Sequence, residues 1–295
     1  MVPWKIVGVQ MNCRLADKHH NLNLIRAKLR AAAETGGRLA IFPECALTGY
    51  SFESMEEAWP HAEPVPGPTT EMLAVECRRL GIWAIFGLLE RHETERKLFN
   101  ACALVGPEGQ TVSYRKIHLP CLGVDRFATP GDRPFAVHDL GGLRVGMTIC
   151  YDGSFPESAR VLTLLGADLV VLPTNWPAGA RSTAKYLVQA RALENHIYYA
   201  AVNRVGEERG FHFIGQSRIV DCDGELLASS DGDSEAMLFA VLDPGRARQK
   251  HIVKIPGKYE INRVADRRPE MYGPLCERRV ETEVGVGAHA SRHGH

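Results

Sequence analysis

Three ionisable residues in this chain each stand at the end of an apolar, strand-like run, and their side-chain types complement one another. Glu44 follows Leu39-Ala40-Ile41-Phe42-Pro43. Lys116 closes Thr111-Val112-Ser113-Tyr114-Arg115. Cys150 closes Leu143-Arg144-Val145-Gly146-Met147-Thr148-Ile149, with a helix expected a few residues later. In α/β proteins reactive groups gather just beyond the carboxyl ends of strands, where loops open a crevice. A cysteine ahead of a helix N-terminus feels a positive dipole, and a nearby lysine would lower its pKa further. A glutamate supplies a general base, and a lysine a fixed charge for a developing oxyanion. Together the three could attack a carbonyl-like carbon. Spacing alone also fits a blander arrangement, an inert buried thiol and two solvated strand-end charges.

The elements that must bring these residues together are readable from periodicity and turn chemistry. Lys5 to Gln10 reads as a buried strand, and Asp17 caps a helix through Ala33, with Leu22, Ile25, Leu29 and Ala32 at helical spacing. Residues 38–42 form a short strand, and residues 45–68 read as a proline-rich loop. Thr69 or Thr70 caps a helix that Gly81 closes, and Ile82–Leu89 is a further strand. Hairpins are expected at Phe99–Val105 with Gln110–Ile117, at Phe135–Leu140 with Leu143–Cys150, and at Ser217–Cys222 with Glu225–Ala228. Helices over Pro156–Leu165 and 182–196 alternate with strands Asp168–Pro173 and Ile197–Asn203, and Met237–Leu242 is the last strand. This alternation predicts an α/β fold. One domain is expected over residues 1–245. Residues 246–295 read as an extended arm with a loose tail ending Ala290-Ser291-Arg292-His293-Gly294-His295.

Composition narrows the function. The 295 residues are 45% hydrophobic, and 35 basic residues balance 35 acidic ones. A neutral chain has no general field for nucleic acid or an anionic membrane. No apolar run is long enough to span a bilayer, and the start Met1-Val2-Pro3-Trp4-Lys5-Ile6 shows no signal pattern, so a cytoplasmic protein is expected. Eight scattered cysteines without a C-x-x-C pair suit reduced thiols, not disulfides or a zinc site. His19-His20 are adjacent and read as a solvated helix start. Gly141-Gly142 is a hairpin turn and not a phosphate loop, so neither a metal nor an organic cofactor is expected.

The blocks Leu39–Glu44, Tyr114-Arg115-Lys116-Ile117-His118-Leu119 and Gly146-Met147-Thr148-Ile149-Cys150-Tyr151-Asp152 closely resemble, in order and spacing, the three catalytic blocks of the nitrilase superfamily, the carbon–nitrogen hydrolases. Further matches are Phe155-Pro156-Glu157 with Arg160, Leu172-Pro173-Thr174-Asn175-Trp176, and Arg191-Ala192-Leu193-Glu194-Asn195 with Asn203-Arg204. The likeness covers roughly residues 4 to 245. It implies an α-β-β-α four-layer sandwich whose subunits pair into a homodimer or higher homo-oligomer. It implies Cys150 as nucleophile, Glu44 as general base, Lys116 as oxyanion stabiliser and the Tyr151 backbone N–H as a second donor.

An accessory acid in this family lies a few residues before Pro-Gly-Asp. Ahead of Pro130-Gly131-Asp132, an ungapped match puts Val124 there, and a one-residue gap puts Asp125 there. Asn175 and Trp176 are candidate pocket residues, whereas Tyr198 and Tyr199 are expected to pack in the core. The implied reaction is hydrolysis of a small amide with release of ammonia, through a Cys150 thioester. N-carbamoyl compounds, nitriles and amide-directed acyl transfer are alternatives, and a non-catalytic interaction protein is the reading from another class. Gly153-Ser154 replace the arginines of enzymes for N-carbamoyl-D-amino acids. Tyr151-Asp152-Gly153 replaces the Trp-Glu that usually follows the nucleophile in nitrile-cleaving members.

Overall fold

The computed structural model describes residues 2–277. In chain order its first half runs β1 (Trp4–Gln10), α1 (Lys18–Glu34), β2 (Leu39–Ile41), α2 (Met55–Ala58), α3 (Pro68–Leu80), β3 (Trp83–Arg91), β4 (Leu98–Val105) and β5 (Thr111–Arg115). The second half runs β6 (Val137–Asp139), β7 (Arg144–Met147), α4 (Pro156–Leu164), β8 (Leu169–Thr174), α5 (Val188–Asn195) and β9 (Tyr198–Asn203). It continues with β10 (Val205–Glu208), β11 (Phe211–Ile214), β12 (Arg218–Val220), β13 (Leu226–Ser229) and β14 (Ala236–Leu242).

Two six-stranded sheets result, ordered β14-β1-β2-β3-β4-β5 and β13-β12-β9-β8-β7-β6. Each has three parallel strands at its centre, β1-β2-β3 and β7-β8-β9, flanked by antiparallel neighbours. Strand periodicity explains the layering, because successive side chains point to opposite faces. Ile6, Leu39, Ile41 and Ile85 of the first sheet meet Val145, Leu169, Val171 and Ala200 of the second in the inter-sheet core. Their neighbours Val7, Ala40, Ala84 and Phe86 turn outward beneath Ile25 and Leu29 of α1 and Leu73 of α3. On the other side Val170, Leu172, Tyr199 and Ala201 pack under Leu162 of α4 and Val188 and Ala192 of α5. The fold is therefore the four-layer α-β-β-α sandwich. Tyr198 lies in the inter-sheet core and Tyr199 in the outer one, so both tyrosines pack as expected.

Differences from expectation have local causes. The Asp17 side chain caps α1 by accepting from the His20 N–H, as its position suggested. The cap of α3 is instead Gly67, because Pro68 takes the first helical position, where its missing N–H costs nothing. The helix expected over 182–196 opens with a π turn over Thr183–Leu187 before α5 begins. The β10–β11 hairpin had no counterpart in the sequence reading, since its polar strand carries Gly206, Glu207 and Glu208. After β14, α6 (Pro244–Arg248) places Ala247 in the inter-sheet core, and a hairpin of β15 (Ile252–Ile255) and β16 (Tyr259–Ile261) follows. The tail expected over 290–295 lies outside the described residues. Among the described residues no helix is long and apolar enough to cross a membrane.

Candidate active site

The three strand-end residues converge where the two sheets meet. Glu44 and Lys116 come from the first sheet and Cys150 from the second, so the site is assembled only when the sandwich closes. Lys116 Nζ donates to Glu44 Oε1 at 2.7 Å and to Asp125 Oδ2 at 2.5 Å, and neither Lys116 nor Glu44 is exposed at all. Asp125 therefore joins the cluster, from a turn over Gly123–Arg126, and Val124 packs in the apolar group with Tyr50 and Phe52.

Close backbone approach makes this convergence possible at two glycines. A Cβ on Gly87 of β3 would lie 2.2 Å from the Cys45 nitrogen and 2.6 Å from Glu44 Cα, so the Glu44 segment lies against β3 only because Gly87 is bare. A Cβ on Gly131 would lie 2.2 Å from the Arg115 carbonyl oxygen, and the Gly131 N–H donates to the Lys116 carbonyl at 2.8 Å. Asp132 accepts from Arg115 Nη1 at 2.9 Å. Pro130-Gly131-Asp132 thus clamps the end of β5 that carries Lys116.

Cys150 has φ +45°, in the left-handed region that is costly for a residue with a side chain. The sharp bend presents its thiol at the start of a 3₁₀ turn over Cys150–Ser154. Asp152, fully buried, holds that bend. Its carboxylate accepts from the Ile149 N–H at 2.9 Å, the Tyr114 hydroxyl at 2.7 Å and the His118 N–H at 3.0 Å. The Cys150 turn is thereby tied to both sides of Lys116. Tyr151 is half exposed, with its ring set edge-on to Phe155, while its N–H lies in the first turn, where helical N–H groups lack partners. Asn175 is buried beside the thiol, and both its side-chain polar atoms are without partners among the described residues. Trp176 is packed in the outer core, and its backbone N–H donates to Asn203 Oδ1 at 2.8 Å.

Sequence reasoning missed four supporting residues. Asn100, Tyr50 and Asp152 touch the cluster or the bend, and Glu208 holds the loop that carries Tyr50. The Tyr50 hydroxyl donates to Asp125 Oδ2 at 2.8 Å. Glu208 accepts from the Tyr50 and Ser51 N–H groups and from buried Arg204 at 2.7 Å, so the unforeseen β10–β11 hairpin anchors this side of the site. Asn100 carried a signal: it is a polar residue inside the apolar strand Leu98–Val105.

The electrostatics correct one expectation. Burial pushes the Cys150 thiol up to about 12, Glu44 adds to this, and Lys116, Thr174 and the Asn175 backbone only partly offset it. The lysine and helix end were expected to make an acidic thiol, but loss of solvation outweighs them. Burial also raises Glu44, against the charge of Lys116. For Lys116 burial alone would lower the value, but Glu44 and Asp125 outweigh it and hold the ammonium well above its usual range.

A pH profile follows. With Glu44 as the general base that the resemblance implies, active only when ionised, kcat/KM is expected to rise with pH through a value above the ordinary carboxylate range of roughly 4. Because the thiol keeps its proton to about 12, no second rise from thiolate formation is expected at ~8–9. Initial rates across that range check this, and a rise centred there would mean a preformed thiolate.

A two-sheet sandwich that brings a glutamate, a lysine and a cysteine together at its seam fits an enzyme of the thiol-dependent class. The chain belongs to the carbon–nitrogen hydrolase family, whose model matches residues 6–251. It is 37% identical over 271 residues to a nitrilase of Pyrococcus abyssi, covering 91% of this chain and 98% of that one. It is 34% identical to an omega-amidase of Xenopus laevis, covering 77% and 84%. Among solved structures it superposes on the amidase from Nesterenkonia sp. AN1, in a double variant in complex with acrylamide, with TM-score 0.77 and 26% identity over 92% of this chain and 97% of that one. Another variant of that amidase carries the acetamide moiety of fluoroacetamide covalently added at its active-site cysteine, with TM-score 0.75 and 27% identity over 91% and 95%.

Proposed function

We propose that this carbon–nitrogen hydrolase cleaves small primary amides, with Cys150 as nucleophile, Glu44 as base and Lys116 with the Tyr151 N–H as oxyanion donors. The observation that carries the reading is the division of labour on Glu44. Its Oε1 accepts from Lys116 and Asn100, while its buried Oε2 has no partner among the described residues and is left to take a proton. As the Sγ–C bond forms, the thiol proton passes to Glu44, so the high thiol pKa is no obstacle. Charge on the carbonyl oxygen is held by Lys116 and the Tyr151 N–H. Glu44 then returns the proton to the nitrogen as the C–N bond breaks and ammonia leaves. Water, deprotonated by the same carboxylate, attacks the thioester and releases the acid and the Cys150 thiol. Asp125 keeps Lys116 in place, and Asn175 gives its unpaired amide to the substrate.

Amides are favoured over nitriles because an amide already has the oxygen that the two donors would hold, and the amidase neighbours support this. Although the Pyrococcus abyssi relative is named a nitrilase, Tyr151-Asp152-Gly153 stands here where Trp-Glu is usual in nitrile-cleaving members. The expected result is that kcat/KM for propionamide exceeds that for propionitrile by tenfold or more, about 1.4 kcal/mol in barrier, read by ammonia release. A nitrile preferred by the same factor would overturn the substrate assignment. The enzyme is further proposed to act in the cytoplasm as a homodimer or larger homo-oligomer. Exposed Val161, Leu164, Leu165 and Leu193 on and beside α4 and α5 offer an apolar face to a second copy.

A further inference from the structure

Asn100 lies on β4 and is fully buried among the charges of the site. Its Nδ2 donates to Glu44 Oε1 at 2.7 Å and to Asp125 Oδ1 at 2.8 Å, so the two hydrogens of one amide nitrogen serve the two carboxylates. Its backbone carbonyl accepts the Lys116 N–H at 2.8 Å. Its Oδ1 faces the Cys45 thiol at 3.6 Å, an S–H donor that fixes which end of the amide points at the carboxylates. Reversing the amide would aim an acceptor at two acceptors, and the Cys45 contact opposes that reversal. Cys45 itself is held in the left-handed region, φ +48°, one residue after Glu44.

We infer that Asn100 is a positioning residue for the reaction. Its amide nitrogen spans Glu44 and Asp125 and engages Glu44 through Oε1, so that Oε2 remains the oxygen available to the Cys150 proton. Without this bridge, two carboxylates and one ammonium have several arrangements of similar energy. Glu44 could turn both oxygens to Lys116 and lose the geometry for proton transfer, which tolerates little displacement. This inference rests on Glu44 being the general base.

The test compares Asn100→Asp, which keeps the shape but replaces the paired donors with a third carboxyl group, with Asn100→Leu, which keeps the bulk without polarity or charge. Both are assayed on propionamide for kcat, KM and the pH dependence of kcat/KM. For each, kcat is expected to fall roughly a hundredfold or more, in line with lost acid–base catalysis, with KM within about threefold. The acid limb should also move up by about one unit or more in Asn100→Leu, because ionised Glu44 has lost a hydrogen-bond donor, and further in Asn100→Asp, where a like charge is added. The position of that limb does not depend on how much of a preparation is folded, so a poorly folding variant still reports. An unshifted limb in either variant, or kcat within about fivefold of wild type in Asn100→Leu, would overturn the inference and leave Asn100 a packing residue. Glu44→Gln separates the two levels. If it turned over at near the wild-type rate, the base assignment itself would fail, whereas an inactive Glu44→Gln beside an active Asn100→Leu would fault only the bridge.

Discussion

Replacing Cys150 with alanine is expected to lower amide turnover by roughly ten-thousandfold or more while leaving the protein folded. The magnitude follows from the role proposed for the thiol. Without it no covalent intermediate forms, and the oxyanion donors have only a weakly activated water to work with. The fold should persist because the substitution removes one sulfur at the crevice and no hydrogen bond that holds the bend. Asp152 would still accept from Ile149, Tyr114 and His118. A stability loss of about 1 kcal/mol or less is expected, because a single sulfur atom is removed and no large void is left. Denaturant melts beside ammonia release check both halves of the expectation.

Lys116→Met should have the second largest effect, and on stability as well as on rate. Lys116 stands between Glu44 and Asp125 with all three buried, so its removal leaves two carboxylates facing each other out of water. Breaking a buried ion pair from one side costs about 3–5 kcal/mol. The pH dependence of that loss has a definite sign. Glu44, which burial already raises, would lose the ammonium that opposes that rise, so in the variant it favours the folded state only while protonated. The deficit relative to wild type should be largest near neutrality and shrink as pH falls through that raised value. Adding Asp125→Asn to Lys116→Met should recover part of the stability and none of the activity. Equal stability of the single and double variants would contradict the charge argument.

Much of this was readable beforehand, for physical reasons that differ from residue to residue. The sandwich was legible because Ile6/Val7 and Ile85/Phe86 alternate between two apolar faces, a pattern that buried sheets with helices outside require. Glu44, Lys116 and Cys150 were legible because each ends such a strand within a distinctive block. Asp125 was ambiguous because one residue of register decides between it and Val124, and only the turn over Gly123–Arg126 resolves which points at Lys116. Asn100 and Asp152 passed unnoticed because their value lies in partners far off in the chain, at separations from 25 to 56 residues. The thiol was misjudged because dipole and lysine can be read from sequence, while the burial that outweighs them exists only once the sheets have packed.

Turnover through Cys150 requires that an acyl group be carried on its sulfur. The most direct measurement is rapid acid quenching of the enzyme with propionamide, followed by peptide mass spectrometry of all eight cysteines. A propionyl mass increment is expected on the Cys150 peptide alone, lost in Cys150→Ala and formed no more slowly than ammonia is released. Ammonia release at the full rate with no adduct on Cys150, or an adduct carried instead on exposed Cys121 or Cys276, would contradict it.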